Sequence, residues 1–420
     1  MLESLTGITA LVGVFAIVMI CAMRWPDIRY VLLVAFFLRA VLAIIHYYVF
    51  PLPDSGADAV SFERVAWEWA QEPFGWQFTS DYSYFISWII ALFYRFAGRS
   101  PLLAQSLSVF FGTATVVVGW YLARELWGRR AAKKAAWAMT FIPTLLLYSA
   151  IIMREAYISF FFVLGLIGVA RWHKTGRTGP MVLAVLGFSG AMLFHGGMAV
   201  AAMAFCALVA IEALHRLLKG FSKSRVSAVA LFWLFVSVLP FVVFVSGAVS
   251  LPKLGTFERL LDAQNLLRMM AIAARDGAAY PSFAVPTSTT ELLWKTPIRL
   301  AYFLFAPFPW DIRAPQHLIG LIDGAIYLLI ATVFWRKRAI IVANKTALQI
   351  LVIVVAVLVV FSFGVGNFGT GIRHRAKLIV GLIALIAPFI PKIRVRTPDV
   401  IKRNATVSAS SAVVCDERVT

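Results

Sequence analysis

The sequence predicts an all-α polytopic membrane protein. Of its 420 residues 61% are hydrophobic, and the mean hydropathy of +0.84 lies far above that of soluble domains. Apolar runs of about 20 residues recur along the chain, each long enough to cross a bilayer core as a helix. The net charge of +19 falls mainly between these runs, as in loops that face anionic lipid, so nucleic acid is not expected as a partner.

The apolar runs place about eleven membrane-spanning helices along the chain. We expect them at residues 5–23, 30–50, 101–123, 131–150, 156–172, 178–194, 198–216, 226–247, 314–335, 345–364 and 376–391. With these spans, 24 of the 39 Lys and Arg residues fall in alternate loops and in the C-terminal tail. That set is predicted to be cytoplasmic, which places the N-terminus and the loop 51–82 on the outer side.

Two apolar segments are interpreted as juxtamembrane rather than spanning. Residues 83–98 are short for a span, and if they crossed, the basic sequence RELWGRRAAKK would face outward. Prolines interrupt residues 292–309, which makes 248–313 a second large outer loop. Residues 1–397 are therefore expected to form a single transmembrane domain, followed by a disordered cytoplasmic tail over 398–420.

The outer loop 51–82 is the first candidate for chemistry. It contains six of the 20 acidic residues, beginning with Asp54 and Asp58. If a helix starts here, the spacing of four residues places both carboxylates on one face. A partly desolvated carboxylate at the mouth of a membrane cavity has the properties of a general base, although a solvated, helix-capping loop explains the same pattern.

A second candidate is the adjacent pair Arg154 and Glu155, which lies between two apolar runs in a very short outer loop. Ionisable groups at such a position are costly unless they pair with each other or serve a cavity. His195, in a tight helical hairpin, is interpreted as structural. Arg39 lies within the second span and is expected to pair with a carboxylate.

The third candidate is the segment 366–377, GNFGTGIRHRAK, on the outer side before the last span. Its glycines allow close backbone approach, and four basic side chains follow them: Arg373, His374, Arg375 and Lys377. A loop of this kind suits a phosphate or pyrophosphate, which arginine binds in bidentate fashion. Membrane anchoring is the alternative, but a basic outer loop runs against the charge bias of the other loops.

The sequence GADAVSFERVAWEWA resembles the first outer loop of GT-C membrane glycosyltransferases, the class of the protein O-mannosyltransferases and aminoarabinose transferases. Asp58, Ala59, Phe62 and Ala66 match the layout of that loop. The similarity continues through about residue 175, with a juxtamembrane helix that ends in Gly, a cytoplasmic GRR turn and a second charged loop. An additional N-terminal span and the absence of a tight Asp-x-Asp pair depart from the family pattern.

The resemblance implies an inverting glycosyltransferase that uses a polyprenyl-phosphate-linked sugar donor and a glycan, lipid or protein acceptor. Asp58 would deprotonate the acceptor hydroxyl, and Arg373, Arg375 and Arg154 would neutralise the leaving phosphate. Asp54, Glu155, His374 and Lys377 complete the expected substrate-binding set. The expected location is the bacterial inner membrane, with the site facing the periplasm and a role in cell-envelope polysaccharide synthesis.

Two alternatives stay open at this point. A polysaccharide polymerase or ligase with lipid-pyrophosphate donors fits the basic outer segment equally well. A transporter or flippase is disfavoured because mid-span charges are few, whereas polar clusters collect at one face. The three cysteines are scattered and indicate no metal cluster, but the acidic loop leaves a divalent metal ion open as a cofactor.

Overall fold

A computed structural model describes residues 2–221, 227–249, 255–274, 277–314 and 317–391. The described chain is helical, with one isolated bridge between Ala279 and Asn367. Residues up to Phe389 form one compact unit. The predicted tail over 398–420 lies outside the described residues.

The α-helices are numbered α1 to α18 in chain order. The first nine are α1 (Leu2–Arg24), α2 (Arg29–Tyr48), α3 (Ala57–Gln71), α4 (Phe85–Ala97), α5 (Pro101–Trp127), α6 (Arg129–Thr140), α7 (Pro143–Ala150), α8 (Glu155–Thr175) and α9 (Thr178–Phe194). The others are α10 (Ala199–Phe221), α11 (Ala228–Val245), α12 (Phe257–Leu261), α13 (Ala263–Ala273), α14 (Thr289–Phe305), α15 (His317–Ala343), α16 (Lys345–Gly364), α17 (Phe368–Ala376) and α18 (Ile379–Ile386).

Eight helices of the described chain are long and apolar enough to cross a membrane: α1, α2, α5, α8, α10, α11, α15 and α16. The all-α membrane fold is thereby confirmed, but the predicted total of eleven spans is not. The predicted spans over 178–194 and 376–391 correspond to shorter apolar helices. The span predicted over 131–150 is two helices, α6 and α7, separated at Phe141 and Ile142 because Pro143 disfavours helical backbone in the residue before it.

Hydrogen bonds between helix termini define two ends of the bundle. At one end, which carries Asp58 and is called the Asp58 end, Ser100 Oγ donates to Glu3 O at 2.8 Å, so α1 and α5 begin together. At the other, called the Arg129 end, Arg129 pairs with Asp27 at 2.6 Å and Arg171 with Glu125 at 2.9 Å. Basic loop residues predicted to be cytoplasmic thus gather at one end.

Helix α4 packs on α3 at the Asp58 end. Ser87 Oγ donates to Phe62 O at 2.8 Å, and Arg99 binds both carboxylate oxygens of Glu63 at 2.9 and 2.7 Å. With 13 residues, α4 is about 20 Å long, which is less than the ~30 Å of a bilayer core. Its juxtamembrane placement stays a prediction.

The segment predicted as a second outer loop contains α12, α13 and α14. Helix α14 continues through Pro297, so the expectation that this proline interrupts the segment is wrong; Pro307 and Pro309 follow the end of the helix. The fully buried Arg299 of α14 donates to the carbonyls of Phe363 and Val365 at the C-terminal end of α16. This contact orders the chain that leads into α17.

Candidate active site

The site is built around the N-terminal turn of α3. The helix begins at Ala57, which places Asp58 in its first turn, where the helix dipole stabilises a carboxylate. Asp54 precedes the helix, in a backbone conformation with φ of 61°, and its Oδ2 accepts a hydrogen bond from the Tyr148 hydroxyl at 2.7 Å. The two aspartates therefore do not share a helix face, contrary to the interpretation from spacing.

Asp58 contacts Arg373 of α17, a residue 315 positions away in sequence. Arg373 Nη2 donates to Asp58 Oδ2 at 2.5 Å, and its Nε lies 3.7 Å from Oε1 of Glu155. The Asp58 side chain is 48% exposed and that of Arg373 is 20% exposed, so a ligand can reach both. The structure thus joins residues from all three segments singled out in the sequence.

Glu155 is the buried centre of this cluster. Its carboxylate is 3% exposed and lies 3.7 Å from both Arg373 Nε and Lys377 Nζ. Its second oxygen has no hydrogen-bond partner among the described residues. A buried carboxylate is costly unless cations compensate it, and here two basic side chains of one segment do so.

The basic segment is a helix, not the glycine-rich loop that the sequence suggested. Helix α17 begins after Asn367, whose side chain accepts a hydrogen bond from Thr370 N at 2.7 Å. Residues two apart on a helix point about 200° apart, so Arg373 and Arg375 face opposite sides. The segment therefore presents its basic side chains in different directions.

Arg375 does not reach the site, which corrects its assignment to phosphate binding. Its guanidinium is fully buried and pairs with Asp323 at 2.8 Å. Its remaining hydrogen bonds go to the backbone oxygens of Phe303, Leu304, Ala306 and Gly320. Because the described residues occupy the guanidinium in this way, Arg375 anchors α17 to α14 and α15.

His374 and Lys377 also take positions different from those expected. Lys377 is fully buried, so it compensates Glu155 instead of contacting a ligand directly. Lys377 Nζ and His374 Nδ1 lie 3.1 Å apart. The His374 ring is 5.0 Å from that of His195 and 4.9 Å from that of Phe361. The rings of His195, Phe361 and His374 therefore pack against one another.

Arg154 directly precedes Glu155 at the start of α8 and is 7% exposed. Its Nη1 donates to Ser83 O at 3.1 Å and to Phe194 O at 3.3 Å, and its guanidinium lies 5.2 Å from the ring centroid of Phe62. Burial lowers the pKa of Arg154, and the charge of Glu155 opposes that shift. The residue borders a cavity of about 220 Å³.

The electrostatics of the cluster keep Arg373 protonated. Burial by itself lowers the pKa of this guanidinium, but the carboxylates of Glu155 and Asp58 outweigh burial and raise the pKa above its ordinary value. The cluster therefore offers a permanent cation beside a half-exposed carboxylate. Within the described residues, no three His, Cys, Asp or Glu side chains converge as a metal-binding group.

Three residues that contact the candidate site residues or line the cavity beside them were not identified from the sequence. Tyr148 binds Asp54, Asp323 compensates Arg375, and Asp81 borders the cavity at Arg154. Asp323 lies within an apolar run, and a charged residue there signals a buried partner. Tyr148 and Asp81 carry no comparable signal. Arg39 is buried as predicted, but it donates to Ala35 O, and no carboxylate of the described chain pairs with it.

The helical bundle and the charged cluster define an integral membrane protein with a candidate site at one end. Its fold is similar to that of ArnT from Cupriavidus metallidurans bound to undecaprenyl phosphate, with a TM-score of 0.50 at 14% identity. The alignment covers 93% of this chain and 64% of that chain. The apo state of ArnT from the same organism aligns with a TM-score of 0.46 at 14% identity, over 86% and 59% of the two chains.

No protein-family model matches the sequence, and no curated protein matches it. The comparison with known proteins therefore rests on structural similarity, and at 14% identity this similarity establishes the fold alone. The GT-C-like fold expected from the first outer loop is confirmed. The chain spans 64% of the ArnT chain that it matches.

Proposed function

We propose that the chain is an inverting membrane glycosyltransferase that takes a sugar from a polyprenyl-phosphate donor. The observation that carries the proposal is the contact between Asp58 and Arg373, a half-exposed carboxylate and a phosphate-binding cation at the same end of the bundle. The GT-C-like fold supports it, as does the undecaprenyl phosphate bound to ArnT. The proposed location is the bacterial inner membrane, with the Asp58 end facing the periplasm.

In the proposed reaction, Asp58 accepts the proton of an acceptor hydroxyl. The acceptor oxygen attacks the anomeric carbon, while the bond between that carbon and the phosphate oxygen breaks with its electron pair leaving on the phosphate. Arg373 stabilises the charge that develops on the phosphate, because its planar guanidinium can bind two phosphate oxygens. The products are a glycosylated acceptor and polyprenyl phosphate.

The ion pair between Asp58 and Arg373 determines the sequence of steps in the proposed reaction. While Arg373 holds Asp58 at 2.5 Å, the carboxylate is stabilised in its charged form and is a poor base. A donor phosphate competes for Arg373 and frees Asp58. Glu155 and Lys377 lie behind Arg373 and keep the guanidinium in place during this exchange. We therefore expect acceptor activation only after the donor binds.

An apolar cavity offers space for the lipid chain. It has a volume of about 540 Å³ and lies between α10, α11, α13 and α16, with Val200, Phe244, Met269 and Val360 among its walls. Arg259 and Asn265 provide polar groups on its lining. Phe361, next to Val360 in α16, contacts both His195 and His374.

The experiment is a transfer assay in which the purified chain is given undecaprenyl-phosphate-linked sugars. The reaction rate is measured from the release of undecaprenyl phosphate. Asp58→Asn keeps the size of the side chain but removes proton acceptance, and we expect a rate loss of about 10²- to 10⁴-fold. Glu68→Gln is the control, because Glu68 is an exposed carboxylate of the same helix that pairs with Arg64. Equal rates for Asp58→Asn and the wild type would contradict the assigned base.

A further inference from the structure

The cavity at Arg154 is distinct from the contact between Asp58 and Arg373. It has a volume of about 220 Å³ and is formed by the turn over residues 80–83 together with Arg154, Phe194 and His195. This is many times the ~10–15 Å³ that a single buried water molecule needs. The space is large enough for a pyranose ring.

Arg154 is the group that points to a ligand. The residue is 7% exposed, and its Nη1 is occupied by two backbone oxygens. Its Nε is buried and has no acceptor among the described residues. A buried guanidinium with unused donors is costly, and oxygen atoms of a ligand in the adjoining cavity would compensate it.

Asp81 determines which kind of ligand fits. Its Oδ1 accepts a hydrogen bond from Ser83 N at 2.8 Å, and its Oδ2 has no hydrogen-bond partner among the described residues. A carboxylate in the lining repels phosphate, but it accepts hydrogen bonds from hydroxyl groups. The cavity thus combines a charged acceptor, a charged donor and the apolar ring of Phe194, which matches the two sides of a sugar.

We propose that this cavity is the subsite for the sugar of the donor, with Asp81 and Arg154 binding its hydroxyl groups. The inference rests on the proposed glycosyltransferase function. Arg154 is followed in the chain by Glu155, whose carboxylate lies 3.7 Å from Arg373 Nε, so the cavity is near the proposed phosphate-binding group. The subsite would select the donor by the hydroxyl groups of the sugar that is attached to its phosphate.

The test compares the affinity for undecaprenyl phosphate with that for the same lipid linked to glucose, galactose, mannose or N-acetylglucosamine. In the wild type, we expect at least one sugar to raise the affinity about 10- to 100-fold, as hydrogen bonds to charged groups do. Asp81→Asn keeps the cap on Ser83 N but weakens hydroxyl binding, so most of that gain should disappear. The affinity for undecaprenyl phosphate itself should stay unchanged.

A second variant, Ser80→Trp, fills the cavity from an exposed position and should also abolish the gain. Glu68→Gln should retain it. A wild-type chain that binds undecaprenyl phosphate but gains nothing from any of the four sugars overturns the subsite alone. A gain that survives in both Asp81→Asn and Ser80→Trp overturns it as well. Failure to bind undecaprenyl phosphate at all contradicts the proposed function.

Discussion

The pair formed by Arg375 and Asp323 gives a prediction about stability that separates anchoring from ligand binding. Both side chains are fully buried, and the ion pair of 2.8 Å is the only one that the described chain provides for either residue. Arg375→Met keeps an unbranched side chain without the guanidinium, and it leaves Asp323 with the Thr144 hydroxyl, at 2.6 Å, as its hydrogen-bond donor. It also leaves the carbonyls at the end of α14 without the donor that binds them.

Removing one partner of a buried ion pair typically costs about 3–5 kcal/mol, because the other charge stays uncompensated. For Arg375→Met in a chain of 420 residues this corresponds to a melting temperature lower by roughly 3–6 °C. The measurement is thermal unfolding in detergent, with Arg64→Met as the control, because Arg64 is 68% exposed. The double variant Asp323→Leu, Arg375→Met removes both charges and should recover part of the loss. Full recovery is not expected, since the α14 carbonyls remain without Arg375. An Arg375→Met chain that unfolds within about 2 °C of the wild type would refute the anchoring role.

Two further predictions concern ligand binding and topology. Arg373→Lys should weaken undecaprenyl phosphate binding in detergent about 10- to 100-fold, because lysine lacks the planar fork, whereas Arg64→Lys should bind like the wild type. If Arg373→Lys binds undecaprenyl phosphate with wild-type affinity, Arg373 is not the phosphate-binding group. In a chain without native cysteines, Thr79→Cys and Ala97→Cys should react with an impermeant reagent from outside and Lys133→Cys only from inside. Reaction of Thr79→Cys and Ala97→Cys from opposite sides would show that α4 crosses the membrane.

Much of the fold could be predicted from the sequence, because apolar runs and loop charges act locally. The helices were placed within a few residues wherever apolar length alone determines them, as in α8 and α16. The prediction failed where tertiary packing overrides local preference. Pro297 lies inside a continuous helix, and Pro143 divides a span that composition alone presents as unbroken.

The site was predicted by residue type but not by geometry. Asp58, Glu155 and Arg373 were identified in three separate segments, and a single sequence contains no signal that brings them together. The interpretation of Arg375 failed because it treated α17 as a loop in which all basic groups face one ligand. Two signals for the observed geometry were available. Asn367 is a favourable N-cap residue and indicates that a helix begins after it. Asp323, a charged residue within an apolar run, indicates a buried basic partner, which is Arg375.

The most direct test of the central claim is an experimental density map of the chain with an undecaprenyl-phosphate-linked sugar. We expect the phosphate within hydrogen-bond distance of the Arg373 guanidinium, with Asp58 released from the ion pair and turned toward the acceptor side. Glu155 and Lys377 should keep their positions behind Arg373. A map in which the phosphate lies elsewhere, while the 2.5 Å contact between Arg373 and Asp58 persists, would contradict both assigned roles.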